Sequence, residues 1–158
     1  GLKDLLAALE KNRVAEGARI AKALFEQLNA IIKLCGQAEK LAALQPDNIR
    51  EKLNQQVAEL LDAVPNLPEE RLAQEAAVLM TKADVREELD RLQAHIDAAR
   101  ALMEEGGVIG RRLDFLCQEF NREANTLCSK ATDVELSKIG LELKAVIEQY
   151  REQVQNIE

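Results

Sequence analysis

Apolar residues return at every third or fourth position along almost the whole chain, the spacing that gathers them on one face of a helix. From Leu2 to about Gln45, the series Leu5, Leu6, Leu9, Ile20, Leu24, Leu28, Ile31, Ile32, Cys35, Leu41 and Leu44 predicts one long helix or two in line. Gly17 and Gly36 lie inside it, and each weakens a helix by about 1 kcal/mol relative to Ala, which makes both candidate bends. Pro46-Asp47-Asn48 predicts a break and a fresh start, with Asn48 and Glu51 spaced as a cap and its reciprocal partner. The helix that follows runs to about Ala63 and turns Ile49, Leu53, Val57, Leu60 and Leu61 inward, and Val64-Pro65-Asn66-Leu67-Pro68 makes a turn.

Pro68-Glu69-Glu70 suits a first helical turn, because Pro needs no amide partner there and the acids favour the positive helix end. The spacing predicts a third helix from Pro68 to about Glu105, burying Leu72, Ala76, Leu79, Ala83, Val85, Leu89, Leu92, Ile96, Ala99 and Met103. Gly106-Gly107 stops it. A helix over Gly110–Lys130 turns Leu113, Leu116, Cys117, Phe120, Ala124 and Leu127 inward. After a second break at Ser129–Asp133, with Thr132 and Glu135 in capping-box spacing, a last helix reaches almost to Glu158 through Ile139, Leu143, Val146, Ile147, Tyr150, Val154 and Ile157. No repeat and no convincing strand is present. The expected fold is all-α with no sheet: long antiparallel helices, as a helical bundle or extended hairpins, comprising an N-terminal helical arm over 2–45 and a compact helical part over 47–158.

Composition sharpens this picture. A chain of 158 residues with 47% hydrophobic residues can bury a core, which argues against disorder. Aromatic residues make up only 3% and the net charge is −7, so neither base stacking nor bulk attraction draws nucleic acid to the chain, and any RNA contact must use local patches. Cys35, Cys117 and Cys128 are odd in number and lack CxxC spacing, which points to small buried residues in a reducing compartment rather than zinc or a disulfide framework. No apolar run has spanning length and no signal peptide is recognisable, so the cytoplasm is the expected location. The chain starts in helix at Gly1 without Met, which predicts a longer protein with a part upstream.

Gly110–Lys130 carries the most unusual polar surface. Arg111, Asp114, Gln118, Asn121 and Asn125 share one face at three-four spacing, and two Asn four apart are poorly explained by helix propensity. They suit contact with RNA, or bridges between helices or subunits. His95 is the only histidine, so a two-histidine pair acting on a ribose 2′-hydroxyl is excluded within one subunit. Asp84, Glu88, Arg91 and His95 form a stripe on its helix, and with Asp114, Glu119 or Glu123 they offer the nitrogen and oxygen donors that suit Mn²⁺ or Mg²⁺. The plainer reading is a solvated surface histidine beside Glu and Arg. Arg111, Arg112, Arg122 and Lys130 suit phosphate, or else pair with neighbouring acids. The Gly106-Gly107-Val-Ile-Gly110 turn lacks the Gly-Lys-Ser/Thr of a P-loop.

The run Gly110-Arg111-Arg112-Leu113-Asp114-Phe115-Leu116, then Gln118-Glu119, Asn121 through Thr126 and Ser129-Lys130, resembles the C-terminal region of the YicC/YloC family of bacterial proteins. The resemblance extends to Glu16-Gly17, Arg71–Glu75, Lys82–Val85, Glu87–Leu92, His95, Glu142–Lys144 and Arg151–Glu158, nearly the whole chain. It implies a divalent-metal-dependent endoribonuclease that assembles as a homo-oligomer, a hexamer, and a further N-terminal domain that this chain lacks. Cys117 and Cys128 depart from the family pattern, where Leu-like and small residues are expected. With the family-like polar positions placed on facing helices, Glu88, His95, Glu119 and Glu123 are the expected catalytic groups and Glu88, His95, Asp114, Glu119 and Glu123 the metal ligands. Arg111, Arg112, Arg122 and Lys130 are the expected RNA phosphate ligands. The rival expectation is a non-catalytic RNA-binding, adaptor or oligomerisation domain.

Overall fold

The computed structural model describes residues 1–63 and 68–157. Five helices account for almost all of them: α1 (Leu2–Ala63), α2 (Glu69–Ala83), α3 (Arg86–Glu105), α4 (Gly110–Lys130) and α5 (Val134–Gln155). No strand occurs among the described residues, so the all-α expectation holds. Of the expected turn at 64–68, residues 64–67 lie outside the described residues.

Three boundaries differ from the sequence expectation. The first is Pro46, which does not end a helix, because α1 continues through it for 62 residues. A proline inside a helix forfeits one hydrogen bond and crowds the preceding turn, a cost of about 3 kcal/mol. Packing on both sides offsets it: Gln45 is buried just before, and Ile49, Leu53 and Val57 are half-buried beyond, where α2 lies alongside α1. The Asn48–Glu51 cap therefore does not form, since both residues lie inside the helix.

The second difference is a break in the expected 68–105 helix at Asp84-Val85. Asp84 is extended, with φ −73° and ψ 115°. Its carboxylate accepts the Arg86 backbone N–H at 3.0 Å and the Arg86 guanidinium at 2.6 Å. A short acidic side chain that captures a backbone donor competes with the helical ladder. The break sends Val85 into the core, where it is fully buried. Thirdly, Asp133 rather than Thr132 caps α5, accepting the Leu136 N–H at 3.4 Å.

The glycine stop forms as expected. Gly106 and Gly107 adopt φ of 68° and 75°, the left-handed region that a side chain would strain, and they reverse the chain between α3 and α4. The core lies between the middle of α1 (Leu24, Leu28, Ile31, Leu34, Cys35, Ala38) and one face each of α3, α4 and α5. Phe120 and Tyr150 meet edge to face at its centre, with ring centroids 6.3 Å apart. The Tyr150 hydroxyl is turned towards Met103 Sδ at 3.3 Å, and burial pushes the phenol well above its usual range. Helices α4 and α5 pack closely at Gly140, where a Cβ would lie 2.6 Å from Cys128 Sγ.

The expected inward leucines of the arm are not inward. Leu5, Leu6 and Leu9 are exposed, as is every residue from Gly1 to Arg19, because no other described element covers this stretch of α1; the α3–α4 turn and the end of α5 approach it only from Arg13 onward. Leu44, Leu60, Leu61 and Leu79 are exposed as well.

Candidate metal centre between α3 and α4

Helices α3 and α4 run antiparallel from the Gly106-Gly107 turn, and polar residues along one edge of their seam meet in pairs. Nearest the turn, Arg112 reaches Glu105 at 3.2 Å. Farthest from it, Lys130 Nζ donates to Glu88 Oε1 at 2.7 Å and to the Asp84 carbonyl at 3.3 Å. Between these pairs, His95 of α3 faces Glu119 and Glu123, which stand one turn apart on α4. One donor atom from each of the three lies within 4.8 Å of the others. Three-four spacing on α4 places both carboxylates on one side, while Phe120 between them turns into the core and meets the imidazole edge to face at 6.0 Å. That ring contact favours this orientation of His95.

The burial of this trio is uneven. Glu123 is only 3% exposed, whereas His95 and Glu119 are half-buried. His95 Nε2 is buried and has no hydrogen-bond partner. An ionised carboxylate removed from water needs a compensating charge, and an imidazole nitrogen left bare inside a protein needs a donor or an acceptor. Around Glu123 the compensation is thin, since Arg91 Nη1 lies 3.7 Å from Oε1. One nitrogen and two carboxylate donors, with room on the exposed side of Glu119, form a set able to hold a divalent cation of the Mn²⁺ or Mg²⁺ type.

The remaining residues singled out from sequence lie elsewhere along the two helices. Glu88 is not in the trio but is buried beneath Lys130, with its Oε2 lacking a partner. Asp114 lies on the side of α4 that faces α5, where Arg151 Nε stands 3.5 Å away and Gln118 donates at 3.2 Å. Arg111 and Arg122 are exposed, Arg112 is engaged by Glu105, and Lys130 is half-buried with Glu88. Asp84 belongs to the α2–α3 joint rather than to the stripe on α3. Arg91 is absent from the phosphate set that the sequence suggests, although it is the cation nearest the trio. The signal for it is its position four residues before His95 on the same face of α3.

The cysteines take no part in the site. Burial pushes the Cys35 and Cys117 thiols up to about 12, which keeps both protonated, and Cys128 is raised by the same cause. No helix among the described residues is long and apolar enough to cross a membrane.

Comparison with known proteins identifies the family. The family model described as "Endoribonuclease YicC-like, C-terminal" matches residues 38–158. Proteins named "Probable endoribonuclease YicC" from Clostridioides difficile (strain 630) and Haemophilus influenzae are 36% and 37% identical to the chain over 157 and 155 residues. These matches cover 99% and 98% of the chain but 54% and 53% of the relatives, so the chain spans about half the length of the curated relatives it matches. With both helices of the candidate centre inside the matched region, the chain belongs to the YicC-like endoribonuclease family and corresponds to its C-terminal part.

Proposed function

We propose that the chain contributes the metal-binding centre of an endoribonuclease, hydrolysing RNA phosphodiester bonds with the aid of Mn²⁺ or Mg²⁺. The observation that carries this reading is the convergence of His95, Glu119 and Glu123, including the buried, unpartnered His95 Nε2. Names of the relatives supply the substrate class. RNA is the proposed partner, in a homo-oligomer in the cytoplasm, with the hexamer taken from the family resemblance.

A divalent cation held by His95, Glu119 and Glu123 would supply Lewis-acid stabilisation of the phosphoryl oxygens and an acidified water. Glu123, buried and rigid on α4, holds one carboxylate oxygen towards the centre. His95 presents its nitrogen from α3 in an orientation favoured by Phe120. Glu119, the more exposed carboxylate, faces solvent and is placed to orient an attacking water and receive its proton. Arg111 and Arg122 are exposed on α4 and suited to phosphates flanking the cleaved bond. Of the four basic residues first considered, Arg112 and Lys130 are tied to acids and serve mainly to hold the seam.

The test is cleavage of RNA at fixed salt, with and without Mn²⁺, followed by mapping of the product ends. His95→Ala, Glu119→Gln and Glu123→Gln should each lower the rate by about 100-fold or more. Products should carry 5′-phosphate and 3′-hydroxyl ends. Ends bearing 2′,3′-cyclic phosphate, from ribose attack, would overturn the assignment. One observation favours a second reading: the exposed leucines of the arm suit a surface for assembly, and an adaptor or oligomerisation role predicts RNA binding without cleavage.

A further inference from the structure

We infer that Arg91 is a resident counter-ion of the candidate centre, which yields Glu123 to the incoming divalent cation and thereby frees its guanidinium for the substrate phosphate. The inference rests on the metal-centre reading above and deepens it.

The geometry of Arg91 is that of a replaceable partner. Its side chain is 51% exposed, while that of Glu123 is 4% exposed, so a solvated cation leans over a buried anion. The 3.7 Å separation exceeds the 2.7–2.9 Å of a charge-assisted hydrogen bond. The firm anchor of Arg91 is instead Glu87, one turn earlier on α3, whose carboxylate binds its other terminal nitrogen. Glu123 is thus neutralised loosely by a group that is held from elsewhere. Lys130 is committed to Glu88 and Arg112 to Glu105, and exposed Arg111 and Arg122 form no ion pair with the trio among the described residues.

A divalent ion at the meeting point of His95, Glu119 and Glu123 would share Glu123 with the guanidinium. Two cations on one carboxylate repel, so occupancy of the centre and the Arg91–Glu123 pair oppose each other. Once displaced, Arg91 remains tethered by Glu87 beside the exposed edge of the centre. There its planar fork suits a phosphate oxygen pair, the group that an RNA strand brings to this edge. The contact with Glu123 therefore makes phosphate capture follow metal loading, a coupling in which each favours the other.

Binding measurements on the intact chain separate the possibilities without relying on activity. The probes are Mn²⁺ alone, titrated by calorimetry or by the spin resonance of the free ion, and, at saturating Mn²⁺, a non-cleavable oligoribonucleotide in which methylene groups replace the bridging 3′ oxygens. Arg91→Gln should bind Mn²⁺ about fivefold tighter than the parent chain, because a competing charge has gone. It should bind the oligonucleotide about tenfold more weakly. Arg91→Lys, which keeps the charge and suits the same exposed position, should bind Mn²⁺ like the parent yet hold the oligonucleotide less tightly, since an ammonium lacks the fork. Unchanged or weaker Mn²⁺ binding by Arg91→Gln, or a lysine variant that binds Mn²⁺ as tightly as the glutamine one, would overturn the inference. If the parent chain binds Mn²⁺ and Glu123→Gln abolishes it while Arg91→Gln changes nothing, this inference alone fails. If Glu123→Gln binds Mn²⁺ like the parent, the metal-centre reading fails with it.

Discussion

The first nineteen residues and the α3–α4 seam are written in much the same alphabet, with leucines at helical spacing among charged residues, yet one stretch is wholly solvated and the other encloses a buried carboxylate. Leu5, Leu6 and Leu9 are between 55% and 63% exposed, whereas Leu92, Leu113 and Leu127 are fully buried. Periodicity therefore specifies which face of a helix is apolar, and only a second element decides whether that face is covered. The seam, packed against α1 and α5, brings three donor atoms together, and the arm offers surface.

Substitutions can push on this contrast from both sides. The largest effect should come from Phe120→Ala, which empties the centre of the core and removes the ring against His95, at a cost of about 3–5 kcal/mol in global stability. Leu5→Ala in the arm should change denaturation by no more than about 0.5 kcal/mol. Comparable losses in urea melts of the two variants would mean that the arm is covered in solution and the contrast is false.

A smaller effect, with opposite signs in the two regions, should follow from adding a single methyl group. At Gly140 a Cβ would meet Cys128 Sγ at 2.6 Å and Leu127 Cδ2 at 3.1 Å, so Gly140→Ala should destabilise by about 1–3 kcal/mol. Adding Cys128→Ala should recover part of that loss, because the closest atom is gone. At Gly17 a Cβ would meet nothing within 4 Å, and Gly17→Ala should stabilise the arm by about 0.5–1 kcal/mol, read by amide hydrogen exchange.

The smallest effect belongs to the joint between α2 and α3. Hydrogen bonds from the Arg86 guanidinium and backbone hold the Asp84 carboxyl at about 2, below its ordinary 3.8. A lowered carboxylate contributes stability that is complete above its unfolded value and disappears as pH falls through the folded one. Exchange protection at the start of α3 should therefore decline between about pH 4 and pH 2, modestly, because the pair is solvated. Asp84→Asn should flatten that dependence, and an unchanged profile in this variant would assign the acid sensitivity to another group.

Much of this fold is legible from spacing alone. The all-helical character, the spans of α4 and α5, the glycine stop and the inward residues of α3, α4 and α5 follow from period and turn chemistry. The discrepancies share a cause. Pro46 and Asp84 each pit a local preference against packing, and local preference loses at Pro46 and wins at Asp84; the sequence lists both contenders without their weights. The candidate centre is legible as far as facing helices, which bring His95, Glu119 and Glu123 together. Choosing Glu123 over Glu88 or Asp114 requires the register of α3 on α4 and the neighbours supplied by α5. Lys130 takes Glu88 from 42 positions away, and Arg151 stands beside Asp114 from another helix.

That register is set by core packing together with the short turn at Gly106-Gly107. Helices advance by about 100° per residue, so a single residue inserted between Gly107 and Gly110 would rotate α4 by more than a quarter turn if its packing followed the chain. Glu119 and Glu123 would swing away from His95 while every helix stayed helical. Loop length and core packing thus keep the centre in phase together, and an insertion that altered neither helix's composition would set the two against each other.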